Sequence, residues 1–187
     1  MYQTLLRDAS FYDLLLRFDE DLAESVRLAG CACGGRLHQG HYMRKPRGGP
    51  AELGRRTSLR LSYCCSVEGC RRRRMPPSLR FLDRKVFFSV VVLLVPVLRE
   101  GPTAARLERL QERFQVSART VRRWQRWWRE DFATSPGMLR FQGLCAEAIE
   151  RVALPGSLLD VVRQESIRER VLTVLRLLLA APSVQAL

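Results

Sequence analysis

The sequence predicts a mainly α protein carrying a small β zinc ribbon, in the order N-terminal helix, ribbon, three-helix helix-turn-helix unit and C-terminal helices. Three observations lead there. Apolar residues recur at helical spacing near the start and after residue 80. Between these stretches the chain turns rich in glycine and arginine, with a cysteine pair beside each of two short candidate strands. After residue 102, two helical patterns are joined by a three-residue turn.

The first element follows from Leu5, Phe11, Leu14, Leu15, Phe18, Leu22 and Val26, which fall on one helical face, with Gly30 where a helix would stop. One or two helices are expected over 1–30. Residues 31–80 change character. Gly34, Gly35, Gly48, Gly49 and Pro50 punctuate candidate strands over 36–44 and 56–63, the second alternating in its TSLRLSY run. After Pro76-Pro77 the run 86–98 reads as a helix with Asp83 as N-cap and Pro96 as a kink, although its β-branched content also fits a strand. Thr103 caps an expected helix from 104 to about 114, and Ser117 opens another to about 132. Helices near 138–152 and 157–181, broken at Pro155-Gly156, complete an all-α end whose apolar tail suits docking on the body or on a partner protein. The expected segments are thus 1–30, 31–80, 81–133 and 134–187.

Charge is regional. The chain of 187 residues carries a formal net charge of +13. Residues 1–30 hold three arginines against six acids, residues 36–85 fourteen basic residues against three acids, and residues 101–133 eight arginines against four acids. Such concentration marks a polyanion-facing surface. The longest apolar run, 86–98, falls short of the roughly 20 residues a bilayer span needs, so no membrane segment is expected. Six cysteines without a signal peptide point to a reducing cytoplasm and to metal rather than disulfides.

The cysteines have ligand spacing. Cys31 and Cys33 form a CxC pair, Cys65 and Cys70 a CxxxxC pair, and together they supply the four soft ligands of a structural zinc ion. A module with so little core needs such a staple. Cys64 could replace Cys65 by a one-residue shift, and His38 or His41 could replace a thiolate; reduced core cysteines, a redox pair or an iron cluster are the other readings. Cys145, on an apolar helix, reads as core. Catalysis at the metal is not expected, because only Glu52 and Glu68 lie near as bases and no nucleophile with a base can be named. The chain is read as a non-enzyme without a small-molecule substrate.

In the second helix of the 103–132 unit, Val121, Trp124, Trp128 and Phe132 form one apolar stripe to pack on Leu107, Leu110 and Phe114. The other faces present Arg119, Thr120, Arg122, Arg123, Arg126 and Arg129. In a helix-turn-helix the N-terminal part of such a helix enters the major groove of double-stranded DNA, so Ala118, Arg119, Arg122 and Arg123 would meet base edges while Arg126 and Arg129 would meet phosphates. Trp127 lies off the stripe. Arg44, Lys45 and Arg47 in HYMRKPRGGP, and Arg71, Arg72, Arg73 and Arg74 in RRRRMPPSLRF, would add phosphate contacts from extended arms.

The segments CACGGRLHQGHYMRKPRGGP, CCSVEGCRRRRMPPSLRFL and VSARTVRRWQRWWRE together resemble a group of bacterial mobile-element proteins in which a zinc-finger segment precedes a helix-turn-helix, and are similar to the DNA-binding front ends of insertion-sequence transposases. The likeness covers roughly residues 30–132. It implies recognition of transposon ends or of a regulatory site, with Cys31, Cys33, Cys65 and Cys70 in the metal role and the helix after Ser117 in the recognition role. Residues 134–187 are too few for a nuclease domain, which implies a nucleoid-associated accessory or regulatory protein, with a transposase or other protein as a further partner of the terminal helices. The alternative is an assembly module that holds DNA or RNA without sequence choice.

Overall fold

A computed structural model describes residues 2–82, 86–97, 108 and 112–180. The architecture is mainly α with small antiparallel sheets. Helix α1 (Tyr2–Leu5) leads into α2 (Ala9–Ala29). Asp8 caps α2 by accepting from the Ser10 N–H, and Gly30, at φ 70°, closes it where a side chain would be strained. Strands β1 (Leu37–Gln39), β2 (Tyr42–Met43), β3 (Leu59–Arg60), β4 (Tyr63–Cys65) and β5 (Arg73–Arg74) follow. They form one sheet in the order β1-β4-β5, with Leu37 opposite Cys65 and Cys64 opposite Arg73, and a separate β2-β3 pair. The expected strands over 36–44 and 56–63 are thus each divided, and 55–58 is a turn of 3₁₀ helix.

Helix α3 (Ser89–Val97) lies at the centre, with every residue from Ser89 to Pro96 buried. A helix buried on all sides has no polar face, which is why its sequence shows no alternation to mark it. The cap expected at Asp83 lies outside the described residues, as do Leu107, Leu110 and most of the helix expected over 104–114. Within the latter, Glu112 to Phe114 are helical. Gln115 then takes a left-handed φ of 53°, Val116 is buried, and Ser117 accepts from the Thr120 N–H to start α4 (Ala118–Arg126). The helix continues to Phe132 as a wider π turn (Trp127–Phe132).

Pro96 has a definite structural cost and a definite remedy. Lacking an N–H, it leaves the Val92 carbonyl four residues earlier without its helical partner. The Trp128 indole N–H donates to that oxygen at 3.2 Å in a fully buried site. Trp128→Phe keeps an aromatic ring but orphans the carbonyl, and should lower unfolding stability by about 1 to 3 kcal/mol in denaturant titration.

The C-terminal part departs from the expected two helices. Helix α5 (Pro136–Gly143) ends early because the Gln142 side chain takes over the backbone, donating to the Glu147 carbonyl at 2.9 Å and accepting from the Ile149 N–H at 2.8 Å. A 3₁₀ turn (Arg151–Ala153), α6 (Gly156–Asp160) and α7 (Ile167–Ala180) follow, the last opened by the Ser166 hydroxyl accepting from the Glu169 N–H.

One large core gathers Phe11, Tyr12 and Leu15 of α2, all of α3 to Val95, Trp124 and Trp128, and Val171, Val174 and Leu175 of α7. A second, small cluster of Ala23, Cys31, Leu37, Leu61, Tyr63 and Cys65 lies under the sheet, with Val26 of α2 against it. Helix α2 therefore contributes to both. Among the described residues no helix is long and apolar enough to cross a membrane.

Candidate metal centre and basic surface

Two tight turns bring the four expected ligands together. In the first, the Cys31 N–H donates to the Gly35 carbonyl at 3.0 Å and the Gly34 N–H to the Cys31 carbonyl at 2.8 Å. In the second, the Cys70 and Arg71 N–H groups both donate to the Val67 carbonyl at 3.0 Å. Strand pairing of β1 with β4 sets these turns side by side. The sulfur atoms of Cys31, Cys33, Cys65 and Cys70 all lie within 4.8 Å of one another, with Cys31 and Cys70 at 3.7 Å and Cys33 and Cys65 at 3.4 Å. The set is compatible with a structural metal. Gly35 makes the space for it, since a Cβ there would stand 2.6 Å from the Cys65 Sγ.

The Cys31 and Cys65 thiols are shifted in opposite directions. A backbone hydrogen bond from Cys33 lowers the Cys31 thiol to about 7, helped by the neighbouring sulfurs. At Cys65 a backbone bond from Val67 acts downward but is outweighed by burial and by the surrounding sulfurs, which raise it to about 12. A bound cation would favour the deprotonated form of such ligands.

The alternatives for the ligand set sit elsewhere. Cys64 points away from the cluster, its Sγ 3.4 Å from the Arg71 carbonyl oxygen. The His41 Nδ1 is taken up by the backbone of Ser62, 2.8 Å from its oxygen and 3.1 Å from its nitrogen, and the ring meets Tyr63 edge-on. His38 is exposed on β1, opposite Cys64. Cys145 is half-buried against the large core, and burial raises its thiol.

On α4 and its continuation, Arg119, Arg122, Arg123, Arg126 and Arg129 are exposed and make no ion pair among the described residues, while Val121, Trp124, Trp128 and Phe132 are buried on the other side. Trp124 packs edge-on against Phe87, and Trp127 is half-buried against Trp128 at 4.7 Å. Thr120 is half-buried, and its hydroxyl is bonded to that of Ser117 at 3.0 Å, so it belongs to the helix cap.

The ribbon arginines divide into two kinds. Arg71 to Arg74 are exposed, and β5 is an edge strand, with the Arg73 guanidinium 5.7 Å over the Tyr42 ring. Lys45 is exposed, whereas Arg44 is half-buried with its guanidinium 4.9 Å over Phe81. The segment around Arg47 is not a loose arm. The Arg47 N–H donates to the Val86 carbonyl at 2.8 Å, and Gly48, at φ 83°, lies so close to α3 that a Cβ would meet Val91 at 2.8 Å.

Arg80, counted in the basic run, turns fully inward. Its Nε donates to Asp19 at 2.8 Å, while Nη1 and Nη2 donate to the carbonyls of Arg56, Thr57 and Leu59. Asp19 also accepts from the Ser78 hydroxyl and the Leu79 N–H, both at 2.5 Å. Burial pushes the Asp19 carboxyl up, against the pull of the guanidinium and of these donors. Arg60 is also buried and holds the Pro76 carbonyl at 2.7 Å. No composition signal separates these two from their solvated neighbours.

Compared with protein-family models, with curated protein sequences and with solved structures, the chain shows no significant match.

Proposed function

We propose that this chain is a non-enzymatic, sequence-recognising DNA-binding protein held together by a structural zinc ion. The observation that carries the reading is the helix after Ser117, which places five exposed, unpaired arginines on the side opposite its buried tryptophans. Guanidiniums left without carboxylates at such density become favourable when phosphate oxygens and guanine edges are brought to them. Arg119, Arg122 and Arg123 would read bases, Arg126 and Arg129 would hold phosphates, and the edge strand with Arg71 to Arg74 would hold more of the backbone. Zinc fits the sulfur set because Zn–S bonds of about 2.3 Å in a tetrahedron put sulfurs about 3.8 Å apart, close to the 3.7 Å and 3.4 Å between the two facing pairs. The accessory role beside a transposase, in a bacterial mobile element, rests on the motif resemblance.

A second reading, a protein-binding assembly module with indiscriminate nucleic-acid contacts, is favoured by the exposed Leu139, Leu144 and Val152. Duplexes selected from a random pool separate the two. Affinity for the selected site should fall with salt at a log-log slope of about −0.9 per phosphate contact, and Arg126→Ala should make that slope shallower by about one contact. Arg122→Ala should cost about 1 to 3 kcal/mol on the selected site and much less on a scrambled one. Equal affinity for both duplexes favours the assembly module; a flat salt response removes DNA binding altogether.

A further inference from the structure

An open cleft of about 570 Å³ lies between the ribbon loop 46–53, the link from α1 to α2 and the turn before α4. Three arginines from three separate elements line it: Arg7, Arg47 and Arg113. Arg113 donates only to the Gln3 side chain, at 3.1 Å, and Arg7 and Arg47 make no hydrogen bond through their side chains and no ion pair among the described residues. Glu52 and Glu112 also line the cleft, yet among the described residues neither pairs with an arginine. Three cations against two carboxylates leave an excess of positive charge. Gly48 and Gly49 also line the cleft, the latter packed against Leu53 and Phe88 of the same lining.

We infer that this cleft binds a phosphate group. Phosphate oxygens match the forked donors of guanidinium bidentately, and three forks from separate elements can share one tetrahedral anion or a diphosphate. The cleft is of the size that small ligands occupy. A bound phosphate would tie the ribbon loop to the turn at Gln115, and so fix the entry to α4.

Inorganic pyrophosphate, titrated calorimetrically into the zinc-loaded full chain at low ionic strength, tests the assignment without any nucleic acid, so its outcome is separate from that of the duplex reading. One pyrophosphate should bind per chain. Arg47→Ala and Arg113→Ala should each weaken it about tenfold or more, as loss of a charge-assisted contact does, while Glu112→Gln should tighten it. Arg151→Ala, an exposed arginine of the 3₁₀ turn outside the cleft, should leave it unchanged. Circular dichroism of each variant checks that the fold is kept. No saturable binding, or equal losses in Arg47→Ala and Arg151→Ala, would overturn the assignment. If pyrophosphate displaces duplex and Arg47→Ala lowers the salt slope by about one, the phosphate is a strand phosphate. If duplex stays bound, the cleft takes a free phosphorylated ligand.

Discussion

Removing the proposed zinc, by chelation or by Cys70→Ser, is expected to unfold residues 31–75 and to produce the largest single loss of structure in this chain. The cluster beneath the sheet holds six buried residues, of which Cys31 and Cys65 are themselves candidate ligands. So few apolar contacts are a small core for a segment of this length, whose ordering carries a backbone-entropy cost. A structural zinc supplies about 10 to 16 kcal/mol to a small module of this kind. Metal analysis of the purified protein should therefore give one ion per chain, lost in Cys70→Ser together with the amide dispersion of residues 31–75 in NMR spectra. Cys145→Ser and Cys64→Ser should keep the ion, since neither sulfur belongs to the cluster. An unchanged metal content in Cys70→Ser would sink the ligand assignment.

The second large effect belongs to Asp19. Asp19→Ala leaves the Arg80 guanidinium in a fully buried site without its counter-charge, although its three backbone carbonyls remain. Breaking a buried pair from one side costs about 3 to 5 kcal/mol, because the surviving charge cannot be rehydrated. The loss should appear as a lower midpoint in urea with little change in metal content. Glu20→Ala, which breaks only the exposed Glu20–Arg56 pair at 2.6 Å, should change stability by about 1 kcal/mol or less. Similar midpoints for the two variants would mean that the Asp19–Arg80 network does not anchor the sheet to α2.

Much of the site could be read from local sequence, because the signals are local. Cysteine spacing pointed to the four sulfurs that the fold brings together, Gly30 marked the end of α2, and Ser117 with the Val121–Trp124–Trp128–Phe132 spacing gave the capped helix and its buried stripe. What escaped depends on contacts between distant segments. Arg80 looks like any other arginine until Asp19, sixty-one residues earlier, is set beside it. The glycines of the loop 46–50 suggest an extended arm, whereas Gly48 serves close packing on α3. The break after Gly143 is made by a glutamine side chain whose capping role no periodicity reveals. Likewise Pro96 announces a kink, but the indole that completes its helix comes from Trp128, thirty-six residues beyond the Val92 carbonyl it bonds.

Helix α2 spans 21 residues, or about 32 Å at 1.5 Å per residue. Its first half is seated among the aromatic rings around Phe88 and its second half against the cysteine-bearing sheet. A rigid rod embedded in two compartments makes them one cooperative body rather than beads on a string. Loss of the proposed zinc at the sulfur end should then loosen the packing of α2 at its other end as well.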